Sequence, residues 1–291
     1  MKGRDNMERT SHISELRKII AMERSNGRKI ALIPTMGYLH RGHLALVEQA
    51  KQTGAFIVVS IFVNPLQFGP NEDYENYPRD FDRDANLVKD AGVDALFHPT
   101  VEEMYPRPIV TYVEVGQLDT VLCGAKRPGH FRGVTTVVSK LFHIIQPDLA
   151  LFGQKDYQQY LIVKRMVNDL NLPIEVCPVA IVREEDGLAI SSRNVFLTLE
   201  QRHEAKVLSQ SLTAAETFLR SGERSARKLE KQVRDIISGN CHGIIDYVEV
   251  RDAGDLSEVT MIEGPVLIAL AVKFGSTRLI DNKLVEVDPH D

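Results

Sequence analysis

The first 180 residues alternate between short apolar runs and segments in which apolar residues recur every three or four positions. The run at 56–63 is β-branched and almost wholly apolar, which is typical of a strand buried on both faces of a parallel sheet. Leu44 and Val47, which lie between two runs, show helical spacing. The pattern predicts an α/β fold with a Rossmann-like parallel sheet, whose strands cover residues 29–33, 56–63, 94–97, 148–152 and 174–182.

The pattern changes beyond Thr198. Thr198 and Gln201 form a capping-box start, and a helical stripe follows that continues to Gly222. Helices followed by strands indicate a small α+β domain. We therefore predict a Rossmann-like domain that binds nucleotide and substrate at 1–188 and a C-terminal α+β lid domain at 189–291. The remaining elements predicted for the C-terminal domain are a helix at 226–237 and strands at 246–250, 266–272 and 277–280.

Two segments between these runs are harder to interpret. Residues 110–115 alternate as a strand would, and residues 123–133 are basic and rich in glycine, ahead of an apolar helix predicted at 134–145. The glycines have the spacing of a P-loop, but His130 stands where that motif requires lysine, so the P-loop interpretation fails. Two hypotheses stay open for 124–133: a cationic loop that closes over an anionic ligand, and a mobile surface loop.

The segment 34–43 lies where the first predicted sheet strand turns into a helix. Such turns bind ligands in open α/β sheets, and a helix N-terminus attracts phosphate. Gly37 and Gly42 leave room for a nucleotide against the backbone, and His40 and His43 can donate hydrogen bonds to one phosphate. Two ordinary surface histidines, or half of a zinc site, are the alternatives. No other Cys or His pair in the sequence completes a zinc site.

Other strand-to-helix turns carry polar groups whose roles stay open. Asn64 and Gln67 either bind a polar substrate or form an ordinary turn before and after proline. Lys155 is either a phosphate ligand or a surface lysine. Residues 191–193 combine two hydroxyls with a guanidinium, a set suited to a triphosphate. The aspartates at 80, 82 and 84 either help to hold Mg²⁺ or form a solvated helix face.

Composition limits the classes of partner. The 35 basic and 40 acidic residues give a net charge of −5, which argues against nucleic acid as a partner. Cys123, Cys177 and Cys241 are odd in number and scattered, so a reducing compartment, the cytoplasm, is expected. The first residues lack the apolar core of a signal peptide, and the longest apolar run is too short to cross a bilayer, so no membrane partner is expected.

Four segments together resemble the pantoate–β-alanine ligase family, the pantothenate synthetases, within the nucleotidylyltransferase superfamily that carries a His-x-Gly-His turn. The resemblance covers nearly the whole chain from about residue 11. Gln154 stands where a glutamate is common in the family, and the roles of residues 1–10 and 124–133 stay open. The four segments are 34–43, 62–68, 153–159 and 190–194, and the segments 127–133 and 277–282 also match the family's pattern.

The resemblance implies an ATP-dependent ligase in coenzyme A precursor biosynthesis. Pantoate displaces pyrophosphate from the α-phosphorus of ATP to form pantoyl adenylate, and the amine of β-alanine then displaces AMP to give pantothenate. It further implies Mg²⁺ bound with ATP and not by protein ligands alone, no prosthetic group, and a homodimer, while any protein ligands to Mg²⁺ stay open.

The resemblance also implies roles for individual residues. Catalysis falls to His40, His43, Lys155 and Arg193, with His43 as proton donor. Pantoate and β-alanine contact Gln67, Gln159, Met36 and Asn64. The residues assigned to ATP are Met36, Gly37, His40, His43, Gly153, Gln154, Lys155, Asp156, Val182, Ile190, Ser191, Ser192 and Arg193.

Three alternative functions stay open at this stage. A nucleotidylyltransferase would keep the fold but retain the nucleotide in its product, and a regulatory nucleotide-binding protein would bind ATP without turnover. An aminoacyl-tRNA synthetase is disfavoured, because the chain is short, acidic overall and lacks a separate basic anticodon-binding region.

Overall fold

The computed structural model describes residues 7–70 and 72–287. Contacts divide the chain into two compact units. The first unit comprises Met1–Gly116, Arg127–Gln154 and Ile162–Ala180, and the second comprises Gln117–Lys126, Lys155–Leu161 and Ile181–Asp291. The functional division at residue 188 stays a prediction. No helix among the described residues is both long enough and apolar enough to cross a membrane.

The first unit contains a six-stranded parallel sheet in the order β1-β4-β3-β2-β5-β6. Every residue of β3 is buried, as its continuous apolar run predicts. The strand order reverses direction between β2 and β5, so the carboxyl ends of these strands form the switch point at which such sheets bind ligands. This confirms the predicted Rossmann-like fold. The strands are β1 Glu8–Thr10, β2 Ile30–Thr35, β3 Phe56–Ile61, β4 Ala95–Phe97, β5 Leu149–Gly153 and β6 Glu175–Val179.

The helices associated with this sheet mostly follow the predicted periodicity, with two early starts. α2 begins at Arg41, three residues before Leu44, the first residue with helical spacing, because the histidine turn supplies its own cap (below). α6 begins at His130, four residues before the predicted start at 134. α7 contributes its last two turns to this unit. The helices are α1 Ile13–Ser25, α2 Arg41–Gln52, α3 Phe81–Asp90, α4 Val101–Met104, α6 His130–Ile145 and α7 Tyr157–Asp169, and α5 Leu122–Lys126 belongs to the second unit.

Two predictions for residues 110–133 are wrong. Residues 110–115 form no strand, because hydroxyls of α6 bind this backbone: Val113 N–H donates to Thr136 Oγ1, and Thr135 Oγ1 donates to the Val113 carbonyl. Most of 123–133 is helical, because it ends α5 and begins α6. A side chain at Gly133 would overlap the carbonyl oxygen of Leu66, so this glycine permits close packing of α6 on the turn after β3.

The second unit packs helices on one antiparallel sheet in the order β7-β8-β9. Thr198 and Gln201 form the predicted capping box. The single predicted helix is broken at Lys206, and the last helix continues through Gly239. Leu212 and Val233 pack with Ile268 and other residues in a buried core. The elements are α8 Leu199–Ala205, α9 Val207–Arg220, α10 Ala226–Asn240, β7 Ile244–Asp252, β8 Val266–Phe274 and β9 Thr277–Val285.

Candidate active site

The histidine turn connects β2 to α2 in a backbone conformation that few residues adopt. Gly37 has φ +85°, and Tyr38, which is not a glycine, has φ +51°. The carboxylate of Asp84, at 1% exposure, accepts the N–H of Tyr38 at 2.5 Å and of Leu39 at 2.8 Å. Burial raises the pKa of Asp84, although these bonds favour its charged form. Asp84 on α3 therefore fixes the unusual backbone that presents the histidines.

Arg83 supports the same turn from α3. Its guanidinium donates to the Leu39 carbonyl at 2.8 Å and lies over the Tyr38 ring at 5.0 Å from the centroid. It also pairs with Asp84 at 3.3 Å. The aspartates of α3 were noticed in the sequence only as magnesium ligands or a solvated face. For Asp84 the solvated face is wrong, because its carboxylate is buried and binds the turn backbone.

His40 and His43 cap the N-terminus of α2 with their own rings. His40 Nδ1 accepts the N–H of Gly42 at 3.1 Å, and His43 Nδ1 accepts the N–H of His40 at 3.3 Å. The ring centroids are 4.0 Å apart. Because each Nδ1 accepts a backbone proton, the hydrogen bonds assign both rings as the neutral form with the proton on Nε2. The turn thus holds two Nε2–H donors close together at a helix N-terminus.

The two glycines of the turn have local reasons to be glycine. A Cβ at Gly42 would lie 2.9 Å from Cε1 of His40, so only glycine lets that ring fold over the helix start. A Cβ at Gly37 would lie 3.0 Å from Ile61, and its φ is left-handed. The room that these glycines leave for a nucleotide stays a prediction beside these local contacts.

Met36, Asn64 and Gln67, three of the residues predicted for pantoate and β-alanine, lie in contact. Asn64 Nδ2 donates to Gln67 Oε1 at 3.1 Å, and Gln67 Nε2 donates to Met36 Sδ at 3.2 Å. A thioether is a weak acceptor, so a substrate oxygen would be a better partner for this amide. Tyr105 donates to Asn64 Oδ1 at 2.8 Å, and burial raises the pKa of this phenol. The side chains of Asn64 and Gln67 are buried at the end of β3.

The basic segment before α6 holds the backbone of Gln67. His130 Nδ1 lies 2.8 Å from the Gln67 carbonyl oxygen, and Arg127 Nη1 lies 2.9 Å from His130 Nε2. Because the carbonyl can only accept and the guanidinium can only donate, His130 is assigned as the neutral form with its proton on Nδ1. Sequence reasoning left this segment without a role. Its contacts give it one, as a support for Gln67.

Glu72 neutralises the charge of Arg127. The guanidinium donates from Nε and Nη2 to the two carboxylate oxygens, each at 2.6 Å. Burial alone would raise the pKa of Glu72, but the bonds and charge of Arg127 outweigh it and hold that pKa below its ordinary value. The hypothesis of a cationic loop that awaits an anion is therefore not favoured for Arg127, whose charge is already paired.

In the second unit, Lys155 lies in a short 3₁₀ helix, Gln154–Asp156, which leads into α7. Its Nζ is 3.8 Å from Asp156 Oδ1, and its carbonyl accepts the side-chain amide of Asn282 at 2.9 Å. Gln159, on the first turn of α7, is half-buried. The side chain of Lys155 is thus half-buried, and its backbone is held by Asn282 of β9.

Residues 182–193 form a turn within the same unit. The N–H of Ile190 donates to the Val182 carbonyl at 3.0 Å, and Ser191 Oγ accepts the N–H of Arg193 at 3.3 Å. Ser191 thereby caps the 3₁₀ helix Ser192–Phe196. The predicted hydroxyls and guanidinium are therefore held on one short ordered segment.

The predicted residues are divided between the units. The structure brings together His40 with His43, and Gln67 with Asn64 and Met36, all in the first unit, which also contains Gly37, Gly153 and Gln154. Sequence reasoning gave no supporting role to Asp84 and His130, which hold groups of the first unit, or to Asn282, which holds Lys155 in the second. The predicted residues of the second unit are Lys155, Asp156, Gln159, Val182, Ile190, Ser191, Ser192 and Arg193.

One group of potential metal ligands occurs among the described residues, outside the predicted site. Glu200, Glu204 and His242 place one ligand atom each within 4.8 Å of one another. His242 Nδ1 is 2.5 Å from Glu204 Oε1, and the hydrogen bond and charge of Glu204 raise the pKa of His242. An ordinary exposed ion pair accounts for this arrangement.

One protein family matches nearly the whole chain. The family described as pantoate-β-alanine ligase matches residues 8–284 of the chain. The pantothenate synthetase of Desulfitobacterium hafniense is 64% identical over 274 residues, which are 94% of this chain and 97% of that protein. That of Acetivibrio thermocellus is 56% identical over 275 residues, 94% of this chain and 98% of the relative.

Solved structures of the same family are also similar to this chain. The crystal structure of pantothenate synthetase from Thermus thermophilus has 46% sequence identity and a TM-score of 0.91, and the match covers 95% of this chain and 99% of that one. A pantoate-β-alanine ligase from Francisella tularensis, complexed with β-γ ATP and β-alanine, has 31% identity and a TM-score of 0.78, with 98% and 100% coverage.

Proposed function

Because the chain belongs to the pantoate–β-alanine ligase family, we propose that the capped histidine pair acts at the α-phosphorus of ATP when pantoate is adenylated. The protein is an ATP-dependent ligase that condenses pantoate with β-alanine through pantoyl adenylate and releases AMP and pyrophosphate. The observation that supports the role of the turn is the pair of Nε2–H donors that the caps of His40 and His43 create at the switch point of the sheet.

The two chemical steps need different help from the protein. A pantoate carboxylate oxygen attacks the α-phosphorus, and the bond to the pyrophosphate oxygen breaks. The amine of β-alanine then attacks the acyl carbon, loses a proton, and AMP leaves with the former carboxylate oxygen. Negative charge grows on oxygens around phosphorus in the first step, so His40 and His43 stabilise it by donating from Nε2. His43 is the proposed proton donor.

Lys155 and the segment Ser191–Arg193 bind the β- and γ-phosphates, as cations and hydroxyls do elsewhere. This donor set contains no carboxylate, so it fits phosphate oxygens directly. Mg²⁺ then comes bound to ATP and adds charge neutralisation. The residues proposed around the adenosine and the start of the phosphates are Met36, Gly37, Gly153, Gln154, Asp156, Val182 and Ile190.

Gln67 is the central residue of the proposed pantoate site. Its amide replaces the weak bond to Met36 with one to a pantoate oxygen, Asn64 orients it, and Gln159 donates a second bond. Gln67 also serves β-alanine. We also propose that the protein forms a homodimer, lies in the cytoplasm and has no nucleic-acid partner. The family resemblance supports the homodimer, and the composition of the sequence supports the other two.

The deciding experiment follows AMP. The protein is incubated with ATP, Mg²⁺ and pantoate, with and without β-alanine. We expect AMP to accumulate catalytically only when β-alanine is present. ATP consumption with the nucleotide retained in the product would instead indicate a nucleotidylyltransferase, and binding of ATP without turnover would indicate a regulatory protein.

The pantoate site is tested separately with Gln67→Ala. The variant should raise KM for pantoate by about tenfold, the effect of losing one hydrogen bond of about 1.4 kcal/mol. ATP affinity measured by calorimetry should stay within about twofold, a change below 0.5 kcal/mol. Weaker ATP binding with an unchanged pantoate KM would move Gln67 out of the pantoate site.

A further inference from the structure

The segment 277–282 matches the family pattern in the sequence, but the proposed function gives it no role. In the structure it begins β9, the last strand of the second unit. Asp281 is 2% exposed and Asn282 is 5% exposed. Buried carboxylates and amides are costly unless they are hydrogen-bonded, so their partners indicate what they do.

Asn282 holds the backbone of Lys155. Its Nδ2 donates to the Lys155 carbonyl at 2.9 Å, across 127 positions of sequence. This bond fixes the position of the residue whose ammonium is proposed to bind phosphate. Lys155 lies in a single 3₁₀ turn, which has few backbone bonds of its own to hold it.

Asp281 holds the turn that carries the hydroxyls and Arg193. Its two oxygens accept Arg183 Nη1 at 2.7 Å and Nη2 at 2.9 Å. The same guanidinium donates to the Gly187 carbonyl at 3.1 Å, which closes the turn that follows. Arg183 comes directly after Val182, whose carbonyl accepts the N–H of Ile190, next to Ser191. The ion pair therefore fixes residues 183 and 187, the part of this turn that leads into Ser191.

We propose that Asp281 and Asn282 are positioning residues that set Lys155 and Ser191–Arg193 in place for the ATP phosphates. The proposal rests on the phosphate roles given above. Two neighbouring residues of one strand fix both phosphate-binding segments, although those segments are far apart in sequence. A buried ion pair is weak evidence for stability, because an apolar pair of the same size often stabilises a fold as well. Here the ion pair fixes the turn that begins at Arg183, and the amide of Asn282 fixes the backbone of Lys155.

The test measures ATP affinity by calorimetry without pantoate, so that no turnover occurs. Asn282→Ala should weaken ATP binding about tenfold, the equivalent of 1.4 kcal/mol, while KM for pantoate changes less than about twofold. Ser211→Ala is the matched control: its buried hydroxyl in the same unit donates to the Leu208 carbonyl, remote in sequence from both segments, and its loss should leave ATP affinity unchanged.

A double-mutant cycle separates positioning from general destabilisation. If Asn282 acts through Lys155, Asn282→Ala should weaken ATP binding much less in a Lys155→Ala background than in the parent. Equal effects in both backgrounds would overturn positioning through Lys155. If the alanine variant does not fold, Asn282→Asp replaces it, because the side chain keeps its shape and loses its donor.

Asp281→Asn tests the second segment. It removes the charge that orients Arg183 and should also weaken ATP binding several-fold, with the pantoate KM preserved. Unchanged ATP affinity in both Asn282→Ala and Asp281→Asn would overturn the proposal. Unchanged affinity in Lys155→Ala, with a loss in Asp281→Asn, would instead overturn the phosphate role of Lys155.

Discussion

The histidine turn and the phosphate segments of the second unit are built in opposite ways. His40 and His43 cap the same helix with bonds that span two and three residues. Lys155 and the turn after Val182 are held by bonds that span 127 and 98 residues. The first has its caps within the turn and its other supports, Asp84 and Arg83, on helix α3 of the same unit, whereas the second depends on a strand at the other end of the chain.

Because of this difference, a short sequence motif can specify the geometry of the histidine turn but not that of the phosphate segments. A capped turn with glycines at fixed positions makes most of its geometry from its own residues. A lysine on one 3₁₀ turn does not, so its function requires a partner that the fold supplies. The following predictions test how far the contrast holds, in order of decreasing effect.

His43→Ala should remove one of the two Nε2–H hydrogen-bond donors of the histidine turn. We expect pantoate-dependent exchange of pyrophosphate into ATP to fall at least about a hundredfold, the scale of losing one charge-stabilising donor. His143→Ala is the control, because His143 lies on α6 of the same unit and its ring bonds only the backbone of its own helix in the contacts described. Undiminished exchange in His43→Ala would refute the role of the turn.

Asp84→Asn tests whether the turn is as local as it looks. The amide presents a donor to one of the two backbone N–H groups, and a buried unsatisfied group costs about 1–3 kcal/mol of unfolding free energy. We expect that loss in denaturant unfolding, with kcat lowered about tenfold because the histidines shift. Asp82→Asn, at an exposed position on α3, is the control. Full activity in Asp84→Asn would show that the caps alone hold the histidines.

Glu72→Gln tests the support of Gln67 by Arg127 and His130. The bonds of this support span 55 to 63 residues, between those of the histidine caps and those of the phosphate segments. The pKa of Glu72 is lowered from 4.5, so its carboxylate adds stability above that pH and loses it as the pH falls through the lowered value. The parent should therefore be more stable than the variant at neutral pH, and the difference should shrink on acidification below about pH 4.5.

The control for this pH profile is Glu75→Gln, a neighbouring exposed carboxylate. It should track the parent across the whole pH range. At neutral pH, Glu72→Gln should also raise the pantoate KM by no more than about threefold, since Gln67 keeps its bond from Asn64. A constant gap between Glu72→Gln and the parent at all pH values would show that the ion pair is not the source of the stability.

Apolar periodicity and capping, which depend on neighbouring residues, predict every strand except β1 and most of the helices. A continuous apolar run predicts β3, and a capping box predicts the start of α8. The sequence also identifies the histidine turn, whose two helix caps are local. The pairing of Met36 with Gln67 could not be derived from it, because that contact needs β2 and β3 side by side.

The supporting residues and the irregular segments depend on how distant parts of the chain pack together. Residues 110–115 alternate like a strand but give their backbone bonds to hydroxyls of α6, a choice that no local pattern records. Asp84, Asp281 and Asn282 look like ordinary polar residues in the sequence. Each becomes a buried partner of a distant turn, because the partner of a buried polar group is set by which elements pack together and not by its neighbours along the chain.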